Sequence, residues 1–357
     1  SGGTGAAAAA GAAAAAAAAG TGAAEGTGAA MEAEQAEART RWEEAERHWH
    51  GKHTVISTYR PLARSAALVA EQPTLPPEWL APALRQLAEA RGAEARRAAA
   101  TATLEAGTLL ELAPGIFSFE CFSAAFCAAL LAEVDAFEAT ALPRRRPNTM
   151  NRYGLILNEI GMEPLLTLLL RRVIAPLSAA AYPREEVVRA LDHHHSFVVA
   201  YRAAAGGDHG LDMHHDAAEV TLNVCLGRDF EGATLRFCGR HGDADNRRSR
   251  LTYEHKVGRA VLHLGRQRHG ADDIASGERV NLICWARSSS FRGAAAYGYI
   301  EPDGYPKAAE EGLPDRECLS LANDDDYAQQ LRALGDEAAA SRAETGCATG
   351  ACKRKLL

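Results

Sequence analysis

The chain has 357 residues, a formal net charge of -7 and an isoelectric point near 6.0. It is long enough to bury a substantial core in one large domain or two small ones, and its acidic balance argues against a nucleic-acid-binding surface spread over the whole molecule. No uninterrupted apolar run reaches the roughly 18 residues needed to span a bilayer and no charged segment leads into a short apolar one, so neither membrane nor nucleic acid is an expected partner, and a cytoplasmic or nuclear address is expected.

In chain order, residues 1–30 are almost only alanine, glycine and threonine, too small and too weakly apolar to build a core, and form a low-complexity tract expected to be disordered. Residues 31–114 read as a helical N-terminal extension. Glu37 with Arg41 and Glu43 with Arg47 are spaced for ion pairing one helical turn apart, while Ala38, Trp42, Ala45 and Trp49 form a stripe expected to pack on the main body. Pro73, Pro76 and Pro77 interrupt the chain before a second helix over 78–100, with Pro82 in its first turns.

Residues 115–195 read as a helical support region. Ile116 to Cys121 has the texture of a strand, Ser123 is placed to cap the next helix, and Phe126, Leu130, Val134 and Phe137 recur along it at helical spacing. After the basic, proline-flanked loop 143–147, a helix is predicted over 163–177, opening on Pro164. His193, His194 and His195 are assigned to a loop entering the next strand, and Asn151, Tyr153 and Asn158 suit either a pocket mouth or turns. From Ser196 the texture becomes short β-branched runs, at 196–201, 219–226, 233–238, 259–264 and 279–286, separated by Gly- and Asp-rich turns. Helices first and closely spaced strands afterwards predict an α+β protein in which helices buttress a double-sheet β core over 196–291. Arg247, Arg248 and Arg250 read as a solvated loop. The tail, 292–357, holds one predicted helix over 324–340. The eight cysteines form no Cys-x-x-Cys pair and are expected to be reduced thiols.

Chemistry concentrates between His214 and Arg279. His214 and Asp216 are two apart, so in extended chain they leave the same face, and both can reach one ion. The triplet His214-His215-Asp216 alone is weak evidence in a chain with 13 histidines. Its weight rises because it feeds an alternating strand, because His269 closes a later strand, and because Arg279 follows ten residues on. Two imidazoles and a carboxylate on one face of a metal leave positions open for substrate and dioxygen, the ligand set of a non-haem iron(II) oxygenase. An arginine opening an otherwise apolar strand needs an anion or water, and beside a metal site it suits a dicarboxylate. His263 is a rival distal ligand, although a mid-strand histidine is more commonly a packed one. His215 should face away from its two neighbours.

The arrangement resembles the iron(II)- and 2-oxoglutarate-dependent dioxygenases, in particular their prolyl 4-hydroxylase-like branch, over roughly 115–291. His214, Asp216 and His269 match the family's metal ligands. Arg279 matches the basic residue that binds the far carboxylate of 2-oxoglutarate, and Tyr201 the tyrosine that hydrogen-bonds the cosubstrate. The collagen-type members carry lysine at the last of these positions, so Arg279 is a departure that bears on the subfamily. The resemblance implies a double-stranded β-helix, or jelly roll, holding Fe(II), with 2-oxoglutarate and dioxygen as cosubstrates, succinate and CO2 as co-products, and L-ascorbate as an accessory. It implies hydroxylation of an unactivated C–H bond, with a prolyl or lysyl side chain of a protein or peptide as first guess for substrate. A hydrolytic metal site and a non-catalytic protein on the same fold are the competing readings.

Overall fold

Strand pairing from His193 onward sets the architecture, in a computed structural model that describes residues 52–244 and 246–292. The alanine-rich tract, the Trp42/Trp49 helix and the 324–340 helix lie outside those residues. The chain divides into two units, Ser1–Thr58 and Tyr59–Leu357; of the first, residues 52–58 are described and are helical. The second holds everything that follows.

Twelve strands form among the described residues. They are β1 (Leu110–Ala113), β2 (Ile116–Glu120), β3 (Gly154–Ile156), β4 (His193–Arg202), β5 (Leu211–His214), β6 (Val220–Gly227), β7 (Phe230–Gly232), β8 (Leu235–Arg240), β9 (Leu251–Tyr253), β10 (Arg259–Leu264), β11 (Gln267–Ala271) and β12 (Ile274–Arg287). One sheet runs β1-β2-β10-β6-β12-β4-β3, with β7 on the early part of β12, and the other runs β5-β11-β8-β9. Every pairing is antiparallel. The chain passes between the sheets at nearly every step from β4 to β12, which is the topology of a jelly roll.

Side-chain parity explains how the core and the pocket share these strands. Along β12, Arg279, Asn281, Ile283 and Trp285 line a pocket between the sheets, and along β4 Phe197, Val199 and Tyr201 do the same. The alternate residues of β12, Val280, Leu282, Cys284 and Ala286, are buried on the other face. All eight residues of β6 are buried, as expected for a strand covered on both sides.

The helices are α1 (Pro82–Glu89), α2 (Ala93–Glu105), α3 (Ala124–Glu138), α4 (Glu163–Ala181) and α5 (Ser289–Arg292). Ser123 caps α3 by accepting from Phe126 N at 3.3 Å, and Phe126, Leu130, Val134 and Phe137 are buried along it. α3 packs on β6 and α4 on β4 and α2. Glu133, fully buried in α3, accepts from the Tyr59 hydroxyl at 2.6 Å and from Leu62 N at 3.2 Å, which ties the preceding strap to the helix.

Several expectations are corrected. The predicted 78–100 helix is broken into α1 and α2, because Ala90 is extended and Gly92 adopts φ 86, a left-handed value that ends one helix before the next begins. The predicted 163–177 helix extends to Ala181 through a π turn at Leu170–Ile174, next to Pro176, whose ring lacks the N–H an α-helix would donate there. Its 19 residues, at a mean hydropathy of 1.4, are long and apolar enough to cross a membrane by length and composition, although charged residues interrupt the apolar run. Leu165, Leu166, Leu169, Leu170, Val173, Ile174 and Leu177 are buried inside the protein, which accounts for the apolarity of a core helix. His193 to His195 belong to β4, paired with Arg287 to Trp285, and are not a loop. Cys238 is disulfide-bonded, against the expectation of reduced thiols, whereas Cys121, Cys127, Cys225 and Cys284 are free and buried.

Candidate metal centre

The site begins with strand register. His214 ends β5 and lies directly opposite His269 of β11, with the imidazole centroids 4.4 Å apart. Asp216 follows in the turn into β6, where its N–H donates to Gly265 O at 3.0 Å and its carbonyl accepts from Ala218 N at 2.7 Å. Gly265 is required for this turn, because a Cβ there would lie 1.8 Å from Ala218 O. One ligand atom from each of His214, Asp216 and His269 lies within 4.8 Å of the others. His214 Nε2 is 3.5 Å from Asp216 Oδ1 and His269 Nε2 is 3.6 Å from Asp216 Oδ2, close to the spacing of neighbouring ligands on one ion with bonds of about 2.1 Å.

The donor set is prepared for a cation. His214 Nδ1 lies 2.7 Å from Asp212 O and His269 Nδ1 lies 2.8 Å from Gln267 O. A carbonyl only accepts, so each Nδ1 carries the proton and each Nε2 offers a lone pair. Burial pushes His269 down to about 3, against the opposing pull of Asp216, and so keeps the ring neutral. Burial alone would raise the Asp216 carboxyl, but His269, His214 and His263 together hold it well below the usual carboxylate range. Thr221 Oγ1 donates to Asp216 Oδ2 at 2.6 Å and fixes the carboxylate plane.

His263 does not join this group. Its Nδ1–H donates to Leu264 O at 2.9 Å, its Nε2 is 3.9 Å from Asp216 Oδ2, and its ring packs 4.7 Å from His269 and 5.1 Å from Phe237. It is a core histidine behind the site. His215 turns away and packs edge-on against His241 at 5.1 Å. His194 is engaged with Thr167 and Ser196 in the support region.

Deeper in the same pocket, Arg279 and Tyr201 are cross-strand partners in the β12–β4 register. The guanidinium carbon stands 4.5 Å from the centre of the Tyr201 ring. Arg279 is 1% exposed, and its Nε and Nη1 are buried without a hydrogen-bond partner. A buried guanidinium with unsatisfied donors is costly unless an anion meets it. Burial lowers the Arg279 pKa, opposed by Tyr201 and Cys225, and burial raises that of Tyr201, opposed by Arg279. Asn151 Nδ2 donates to the Tyr201 hydroxyl at 3.3 Å, so Asn151 belongs to the pocket. Asn158 instead clamps β4, accepting from Ser196 N at 2.7 Å, and Tyr153 donates to Gly206 O at 2.6 Å, both of which are turn-fixing roles.

Thr221, Asn223, Asn281 and Trp285 also line the pocket and were not singled out in the sequence. A usable signal existed. Thr221 and Asn223 are polar residues on one face of a strand that is otherwise apolar, and Asn281 and Trp285 share the parity of Arg279.

The fold is a jelly roll that gathers two histidines and an aspartate that could hold a metal ion, with a buried guanidinium lacking partners at Nε and Nη1 in the same pocket. Residues 55–186 match the OGFOD2-like domain family. The human 2-oxoglutarate and iron-dependent oxygenase domain-containing protein 2 is 47% identical over 178 residues, covering 50% of this chain and 50% of that protein. The Arabidopsis thaliana 2-oxoglutarate and iron-dependent oxygenase domain-containing protein ICU11 is 42% identical over 196 residues, covering 52% of this chain and 48% of that one. Among solved structures, a Pseudomonas putida prolyl-4-hydroxylase overlays with a TM-score of 0.36 at 17% identity, covering 54% of this chain and 94% of that chain. Over the segments they share, the chain is similar to 2-oxoglutarate- and iron-dependent oxygenase domain proteins. It spans about half the length of the curated relatives it matches.

Proposed function

We propose that this protein is an Fe(II)- and 2-oxoglutarate-dependent dioxygenase that hydroxylates an unactivated C–H bond, yielding succinate and CO2 as co-products. The observation that carries the reading is the pairing, in one pocket, of the His214/Asp216/His269 cluster with the unsatisfied Arg279 guanidinium. A hydrolytic metal site has no use for that arginine. In this reading His214 Nε2, Asp216 and His269 Nε2 hold the iron, and Arg279 with the Tyr201 hydroxyl holds the distal carboxylate of 2-oxoglutarate. Iron and 2-oxoglutarate together supply the oxidising chemistry with dioxygen. The protein's own part is to orient: Thr221 sets the Asp216 carboxylate, Asp212 and Gln267 carbonyls set the two rings, and the apolar walls from Phe197, Val199, Leu235 and Ile283 exclude water.

A prolyl or lysyl side chain of a protein or peptide is the proposed substrate, on the prolyl 4-hydroxylase-like side of the superfamily, with L-ascorbate keeping the iron reduced. In support, human procollagen-lysine,2-oxoglutarate 5-dioxygenase 1 is 29% identical over 143 residues, covering 37% of this chain and 19% of that protein.

The test is anaerobic addition of Fe(II) and 2-oxoglutarate, watching for the visible charge-transfer band of the chelate. The band is expected in wild type and lost in His214→Ala. In Arg279→Ala it should need on the order of 30-fold more 2-oxoglutarate or beyond, as for removal of one partner of a buried charge pair. Absence of the band in folded, metal-loaded wild type would sink the oxygenase reading in favour of a hydrolytic or non-catalytic protein.

A further inference from the structure

The polar end of the pocket continues past Arg279. Asn281 is two residues further along β12 on the same inward face, and its Nδ2 donates to Asn223 Oδ1 of β6 at 2.6 Å. The same Nδ2 lies 3.3 Å from Nδ1 of His255, in the connection between β9 and β10. Nδ2 of Asn281, which donates to Asn223, is the amide atom that meets the imidazole. An amide N–H only donates, so His255 Nδ1 accepts and the ring proton sits on Nε2. Burial, and after it the positive charge of Arg279, hold the His255 pKa well below the usual imidazole range, so the ring is neutral. Its Nε2 is nevertheless buried without a partner, as are Nε and Nη1 of Arg279. Arg279, which lines the pocket, and His255, which meets the lining residue Asn281 from behind, thus leave three donor nitrogens buried without acceptors.

We infer that His255 is a third anchor for the distal carboxylate of the dicarboxylate ligand, donating from Nε2–H alongside Arg279, with Asn281 and Asn223 as positioning residues that set its tautomer. The inference rests on the reading of the pocket as a 2-oxoglutarate site. It makes selectivity for a ligand with a second carboxylate depend on His255 as well as on Arg279.

The test compares binding of 2-oxoglutarate and of pyruvate, a 2-oxo acid with no distal carboxylate, to the anaerobic Fe(II)-loaded protein by chelate absorbance and by calorimetry. Three variants separate the roles. His255→Leu removes both ring nitrogens; His255→Asn keeps an acceptor for Asn281 but has no donor at the Nε2 position; His255→Gln extends an amide N–H toward that position. His255→Leu and His255→Asn are expected to weaken 2-oxoglutarate tenfold or more while leaving pyruvate and Fe(II) affinity unchanged, and His255→Gln is expected to recover most of the loss. Should His255→Leu not fold, the contrast between the Asn and Gln variants carries the same decision. Equal weakening of both acids, unchanged 2-oxoglutarate binding in His255→Asn, or a loss in His255→Gln as large as in His255→Asn would overturn the inference and leave His255 a structural residue. Wild type that binds Fe(II) but neither acid would overturn the oxygenase reading itself, an outcome distinct from these.

Discussion

His214 and His269 face each other directly across the β5–β11 ladder, so the two imidazoles of the candidate metal centre are brought together by backbone register and not by loop conformation. The same is true of Arg279 and Tyr201 across β12 and β4. A jelly roll that satisfies its backbone hydrogen bonds therefore assembles both halves of the site without a separate ordering cost for each side chain. The exception is Asp216, which sits in the turn after β5 and depends on two neighbours for its placement.

The first of these neighbours is Thr221. Its hydroxyl donates to Asp216 Oδ2 at 2.6 Å from the inward face of β6, 1% exposed. Thr221→Val keeps the shape and removes the donor. Metal affinity is expected to fall about 10- to 100-fold, the usual effect of removing a hydrogen bond to a ligating carboxylate. Titration with Fe(II) or Mn(II) alongside thermal melting checks this; a lower melting temperature of the metal-free protein with unchanged metal affinity would point to packing alone.

Gly265 is the second. With Ala218 O at 1.8 Å and Asp216 O at 3.0 Å from where a Cβ would lie, Gly265→Ala must push the ligand turn outward, since both obstacles are backbone. The expected result is loss of metal binding with a fold whose circular dichroism is largely retained, because the β10–β11 connection can shift where the sheet cannot. A Gly265→Ala protein that binds metal like wild type would show that the turn has slack.

The candidate ligand residues could be picked out in the sequence because their spacing and their strands are visible there. His-x-Asp followed by an alternating run, and a histidine ten residues before an arginine, survive in one dimension. What failed was local. β5 and β11 carry Asp212 and His214, Gln267 and His269, residues with little strand preference, and they became strands only by pairing with each other and with β8. The short β1, β3, β7 and β9 likewise exist because a neighbouring strand offers an edge. His255 was invisible for a different reason. Its loop has no pattern, and its relation to Asn281 arises only when β9, β10 and β12 are brought together.

His194 gives the fold a pH dependence whose sign follows from its surroundings. Burial pushes this imidazole down to about 4, with Glu163 opposing, while Thr167 and Ser196 occupy its two nitrogens. In the unfolded chain it takes up a proton near pH 6.5, so as pH falls from about 6.5 to about 4 the unfolded state binds the proton first and stability declines. Above 6.5 the contribution is complete. Replacing it in His194→Gln should flatten the slope of unfolding free energy against pH in that window by at most about 1.4 kcal/mol per pH unit, one proton's worth. Urea denaturation at several pH values between 7.5 and 4.5 provides the comparison. The slope will not vanish, because His215 and His269 are also held neutral by burial, at about 2 and about 3. A slope identical to wild type would mean that His194 is protonated in the folded protein.

Tyr201 and Asn151 test whether the arginine acts alone. Asn151 Nδ2 donates to the Tyr201 oxygen, so that oxygen accepts and its own hydrogen is left to donate to a carboxylate beside Arg279. Asn151 is in turn held by Asn148, which donates to its Oδ1 at 3.0 Å and accepts from its backbone N–H at 2.7 Å. Tyr201→Phe preserves the ring under the Arg279 guanidinium and removes only the hydroxyl. A hydrogen bond to a charged group contributes about 1.5–3 kcal/mol, so 2-oxoglutarate affinity is expected to fall roughly tenfold or more. Asn151→Ala should weaken binding in the same direction by a smaller factor, since it removes the group that aims the hydroxyl and not the hydroxyl itself. If Asn151 works through Tyr201, the double variant binds no more weakly than Tyr201→Phe alone; if the two losses add, Asn151 contacts the ligand by its own path.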